Sequence, residues 1–166
     1  MNGTLDLQRL GEVHPRLPSA RADELGECAA LALEAGGHEP GTALTIDFLG
    51  HREAAPVDWA PRGAATASMR DAHRITEDGA DGLTLAVIGA KRWRLVRRLQ
   101  RGTFADWLVA DEMGTERALE VAGTADDDLG KVLRREREQV DRSPYSARSV
   151  CVIRFADPRL VMEHRP

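Results

Sequence analysis

With 166 residues, the chain has the length of one ordinary domain and can bury a single core. Its formal net charge of −4 excludes the globally basic footprint usual for nucleic-acid binding and leaves only a local patch open to that role. No apolar run approaches the roughly 20 residues needed to cross a bilayer, and no charged-then-apolar leader opens the sequence, so a cytoplasmic protein without a membrane partner is expected.

Residues 1–18 mix leucines with Gly11, Pro15 and Pro18 and predict an irregular or briefly helical lead-in. From Ser19 to Ala35, Leu25, Cys28, Ala29, Ala32 and Leu33 recur at helical spacing, and Gly36-Gly37 supplies a stop. TALTIDFL at 42–49 alternates Leu44, Ile46 and Phe48 with polar residues, the period of a half-buried strand. Pro56 and Pro61 bracket Val57 and Trp59 and suit a short edge strand.

A long apolar stripe from Met69 through Ala72, Ile75, Leu83 and Val87 to Ala90 predicts a helix over about 64–90. Gly79 and Gly82 lie inside it, marking either a kink or a close approach to another backbone. Strands are expected at 93–99, 104–110 and 117–122, separated by Arg101-Gly102 and by the acidic turn Asp111–Gly114. The acidic run 126–128 opens a helix reaching about residue 142, and ARSVCVIRF at 147–155 and RLVME at 159–163 read as strands. The expected fold is α+β or α/β with core order α-β-β-β-α-β. A central mixed sheet would be flanked by helices, with residues 1–62 as a small helix-strand extension and 63–166 as the core of one compact unit.

Cys28 and Cys151 fall in apolar helix and strand patterns and read as buried thiols rather than a bridge or a metal pair. The histidines at 14, 38, 51, 73 and 164 are scattered without zinc-ligand spacing. GxSxG, GxxxxGK[ST] and GxGxxG motifs are all missing.

Two carboxylates stand out. Strand alternation puts Asp106 on a face with Phe104 and Leu108, and Glu120 on a face with Ala118 and Ala122. An isolated charge on an apolar face is costly, which favours a partner, a metal or a place near the sheet rim. Two such acids on neighbouring strands are the minimum equipment for a Mg²⁺ or Mn²⁺ site. The bland alternative is a solvated strand position that binds nothing.

The element order over about 64–156, with Asp106 in GTFADWLVA and Glu120 in ALEVAG, resembles the core of the PD-(D/E)XK, or restriction-endonuclease-like, superfamily. That resemblance implies a metal-binding Asp on the second core strand, Asp106, and the acid of the third-strand motif, Glu120. It also implies an additional acidic ligand on the preceding helix, Glu77. The signature lysine position holds Ala122. Lysine occurs only at Lys91 and Lys131, so Lys131, on the helix after Glu120, is the lysine nearest that motif in sequence. Candidate catalytic residues are therefore Asp106, Glu120 and Lys131, and candidate metal ligands are Glu77, Asp106 and Glu120.

KRWRLVRRLQR would place Arg92, Arg94 and Arg98 on one strand face, either as a phosphate-contacting strip or as a solvated surface, and the negative net charge favours the second. Two functions follow. One is a nuclease-like, metal-dependent phosphodiesterase, atypical or catalytically degenerate, of a bacterial DNA-processing or defence system. The other is a non-catalytic adaptor or structural subunit that binds a protein partner.

Overall fold

A computed structural model describes residues 3–62 and 71–165. Its strands are β1 (Leu5–Asp6), β2 (Ala43–Phe48), β3 (His51–Asp58), β4 (Arg94–Arg98), β5 (Trp107–Ala110), β6 (Glu116–Thr124), β7 (Arg148–Arg154) and β8 (Arg159–Arg165). The helices are α1 (Leu10–Val13), α2 (Ser19–Ala35), α3 (Ala72–Ala90) and α4 (Leu129–Val140). From α3 onward the order is α-β-β-β-α-β, as the hydrophobic periodicity predicts, followed by β8. The first turn expected for α3, with Met69, lies outside the described residues.

The strands form one mixed sheet of eight, ordered β1-β3-β2-β8-β7-β6-β5-β4. β4, β5 and β6 pair antiparallel, α4 carries the chain across to β7 parallel to β6, and β8 returns antiparallel to β7. β2 then pairs parallel with β8, so the N-terminal strands extend the same sheet. β1 covers only Val57 and Asp58, leaving Pro56 beyond that pairing on a strand that is an edge for most of its length.

Alternation along the strands separates two packing layers. Leu119, Cys151 and Ile153 join α2 and α3 in the main core. Val150 and Val152 pack with Leu129, Val132, Leu133 and Val140 of α4 on the other face. No disulfide joins Cys28 and Cys151, both buried, and burial pushes the Cys151 thiol up to about 12.

Close approach explains the helix glycines. A Cβ on Gly79 would stand 2.9 Å from the Cys28 carbonyl oxygen, and one on Gly82 would stand 2.5 Å from that of Leu25. These glycines let α3 lie against the backbone of α2, and Gly123 of β6 gives the same clearance to the Thr76 carbonyl. The acidic first half of α3 is thereby held close to β6. At the far end of α3, buried His14 fastens the lead-in to the core: Nε2–H donates to the Leu85 carbonyl (2.8 Å) and Nδ1 accepts the Leu95 N–H (3.3 Å). Burial holds the His14 pKa below the usual histidine range.

Candidate carboxylate site

Helix α3 presents Glu77, Asp78 and Asp81 in one turn. Asp78 is tied to Arg21, with Nη2 at 2.6 Å and Nη1 at 3.3 Å, and to Arg74 Nε at 3.2 Å. Burial opposes its ionisation, but the Arg21 and Arg74 contacts outweigh it and hold the carboxyl below the usual range. Asp81, one turn after Glu77, has the opposite fate. Its side chain is buried, Trp107 Nε1–H donates to it at 2.7 Å, and Arg21 Nη2 stays 3.9 Å away. Burial first, and then the Asp106 charge, push its pKa up to about 8.

Asp106 sits one residue before β5, where the expected strand 104–110 is cut short. Phe104 adopts a left-handed φ of 56° and interrupts the alternation. The Asp106 backbone still pairs, its N–H donating to the Leu119 carbonyl and its carbonyl accepting the Leu99 N–H. Its carboxylate accepts the Val121 N–H at 3.0 Å, standing in for a strand acceptor beside β6. Asp106 is thus held at the mouth of the β4–β5 turn rather than mid-strand. Burial raises its pKa, and the charges of Glu77 and Glu136 act in the same direction.

Glu120 projects from β6 toward α4, on the face shared with Ala118 and Ala122. It is 6 % exposed, and Gln139 Nε2 donates to Oε1 at 2.5 Å. Burial, then Asp106, Glu136 and Asp81, push it up to about 9. Glu136, buried on α4 three residues before Gln139, receives Arg135 Nε at 2.6 Å. The structure therefore brings Asp81, Asp106 and Glu120 within mutual electrostatic reach, with Glu77 and Glu136 at the margins.

The same carboxylates are not disposed as ligands of one ion. Among the described residues, no group of three or more His, Cys, Asp and Glu side chains has metal-holding geometry. The hydrogen bonds explain the difference: each of the three acids takes a neutral donor of its own, the Trp107 indole, the Val121 amide or the Gln139 amide. The donors are nevertheless all carboxylate oxygens, the chemistry that suits a hard divalent cation, and the Asp106 charge raises the pKa of both Asp81 and Glu120.

The other candidates disperse. Glu77 is exposed, 3.3 Å from His73 Nε2, and contributes through its charge. Lys131 is exposed in the first turn of α4, eight residues before Gln139 and so about 12 Å away along the helix axis. It does not join Glu120. Ala122 packs with the α4 core cluster and faces apolar side chains.

The arginine strip is broken as well. A bulge between Leu95 and Arg97 shifts the β4 register, and Arg92 precedes the strand with a φ of 63°. Arg94 borders a hollow beside His14 and Glu116, whereas Arg98 lies over the Trp107 ring at 5.2 Å. Arg98 belongs instead to a cleft of about 520 Å³ with Asp106, Glu120 and Gln139 on its surface and Arg101, Arg142 and Phe104 around it.

Asp81 is the residue that sequence reasoning passed over. Its signal is the spacing of Glu77 and Asp81, four apart on one helix face, just before the apolar run from Leu83. Comparison with known proteins adds no relative: no family model, no curated protein and no solved structure matches this chain.

Proposed function

We propose that this cleft is the site of a nuclease-like, metal-dependent phosphodiesterase related to the PD-(D/E)XK superfamily. The observation that carries the reading is the meeting of half-buried Asp106 and buried Glu120 on a cleft bordered by Arg98, Arg101 and Arg142, with buried Asp81 behind them and the Asp106 charge raising the pKa of both Asp81 and Glu120. Supporting it, Asp106 stands at the entry to the second strand of the α-β-β-β-α-β core and Glu120 on the third.

Asp106 and Glu120, the two acids that line the cleft, would hold Mg²⁺ or Mn²⁺, which when bound polarises a phosphate oxygen and lowers the pKa of water. The arginines offer forked donors to a phosphodiester and neutralise its charge, but they cannot act as general bases. Gln139 fixes the Glu120 carboxyl from one side, and the Val121 amide fixes Asp106 from another. Glu120, pushed up to about 9, holds a proton near neutral pH that cation binding would have to displace.

A second reading, a non-catalytic adaptor or structural subunit on the same scaffold, is favoured by Ala122 packed at the signature-lysine position. Cleavage assays with Mg²⁺ and Mn²⁺ on linear, nicked and single-stranded DNA and on RNA separate the two. Metal-dependent cleavage is expected from the wild type and only background from an Asp106→Asn, Glu120→Gln double variant. A wild type inert on every substrate overturns hydrolysis and leaves the adaptor reading. Cleavage that survives in the variant places the chemistry elsewhere.

A further inference from the structure

Phe104 is 38 % exposed, a large apolar ring on the surface beside the acidic cleft. Its backbone occupies the left-handed region at φ 56°, which L-residues other than glycine, asparagine and aspartate rarely adopt. The turn before it holds that geometry: Thr103 N–H donates to the Gln100 carbonyl at 3.2 Å, and its Oγ1 hydroxyl bonds the Gln100 and Ala105 carbonyls at 2.8 and 3.2 Å. Gly102, at φ 94°, completes the turn. Burial does not account for directing the ring here, since Ala105 and Leu99 fill the adjoining core cluster.

Around the ring, guanidinium groups border the two acids. The Arg142 guanidinium lies 4.7 Å from the Phe104 centroid and covers part of it, while the rest lines the cleft with Arg98 and Arg101. An aromatic ring backed by a guanidinium, next to further arginines, is the arrangement on which unpaired nucleobases stack while their phosphates are neutralised. Phe104 also lies only two residues from Asp106, at most about 7 Å of chain. Phe104, Asp106 and Glu120 line one cleft, so a base on the ring would bring its adjacent phosphodiester into the cleft that holds both acids.

We infer that Phe104, with Arg142 behind it and Arg98 and Arg101 beside it, is a stacking platform that selects single-stranded nucleic acid for the cleft. This rests on the phosphodiesterase reading of the same site and adds its substrate class. A base inside a duplex has both faces covered by its neighbours and offers none to Phe104.

Binding tested in chelator, without cleavage, separates this inference from the reading beneath it. The probes are fluorescein-labelled oligo-dT and oligo-U of about 12 nucleotides, within the usual span of about 4–16 per site, and a blunt DNA duplex of the same length. Anisotropy titrations should show one or both single strands binding more tightly than duplex, and the two arms tell DNA from RNA. Phe104→Ala should weaken single-strand binding about 5- to 100-fold and leave duplex binding nearly unchanged. Phe104→Trp should restore it, whereas Phe104→Leu, which keeps an apolar side chain and serves as the folding control, should resemble alanine. Equal wild-type affinity for single strand and duplex, no single-strand binding, or indifference to Phe104→Ala overturns the platform. Metal-dependent cleavage combined with that indifference overturns the platform alone. Phe104-dependent binding without metal-dependent cleavage supports the platform and overturns hydrolysis.

Discussion

Asp78 and Asp81 lie three residues apart on one helix, both nearly buried, and the protein treats them in opposite ways. Asp78 is matched by Arg21 and Arg74, with Glu24 completing a charge network that clasps α2 to α3. Asp81 faces Trp107, Asp106 and the approach to Glu120, where like charges accumulate. A buried acid satisfied by guanidinium groups holds two helices together. A buried acid crowded by other acids costs stability unless something positive arrives. The first arrangement needs no ligand, and the second invites one.

The largest expected effect falls on the paired side. Arg21→Ala leaves Asp78 buried without its principal partner and should cost about 3 kcal/mol, the low end for breaking a buried pair because Arg21 is partly exposed. Urea denaturation at neutral pH measures it, and a loss within a few tenths of a kcal/mol would remove the clasp from the explanation.

A smaller change, of opposite sign, falls on the crowded side. Glu120 titrates near 4.5 when unfolded and at about 9 in the fold, so between those values the native state keeps a proton that the unfolded chain has released. Stability is therefore lost as pH rises through that window and retained below it. Glu120→Gln keeps an acceptor for Gln139 and removes the charge. It should stabilise the metal-free protein by about 1–2 kcal/mol near pH 8 and by nothing near pH 4. Denaturation curves at both pH values check it; a destabilised or pH-indifferent variant would show that Glu120 is an ordinary solvated acid.

Much of the fold is legible in the sequence. The period of 3.6 over α4 and the period of 2 along β2 report burial directly, whereas α3 from Asp78 to Ile88 and β7 from Ser149 to Ile153 are buried without a break. Alternation placed Glu120 on the face with Ala118 and Ala122, where it stands. Alternation failed where the backbone leaves the regular pleat. Left-handed Phe104 moves the start of β5 to Trp107, and the β4 bulge sends Arg98 to the acidic cleft while Arg94 borders another hollow. A one-residue slip reverses the face of everything beyond it, and such slips leave little trace in a hydrophobic pattern.

Asp81 was hidden for another reason. On an apolar helix it resembled an interruption, and only tertiary packing, with Gly123 and Gly79 admitting α3 between α2 and β6, brings it against Trp107 and Asp106. Gln139 reaches Glu120 from 19 residues away, a pairing that depends on how α4 crosses the sheet. Lys131 looked closer to Glu120 in sequence because sequence distance ignores the direction of α4, whose first turn points away from the site.

The most direct measurement is calorimetric titration of Mn²⁺ into metal-free protein near neutral pH, in two buffers of different ionisation enthalpy. If Asp106 and Glu120 form a cation site, one Mn²⁺ binds, a proton is released because Glu120 holds one in the free protein, and both signals vanish in the Asp106→Asn, Glu120→Gln variant. No binding, binding without proton release, or binding unchanged in the variant would mean that the crowded acids are not a cation site.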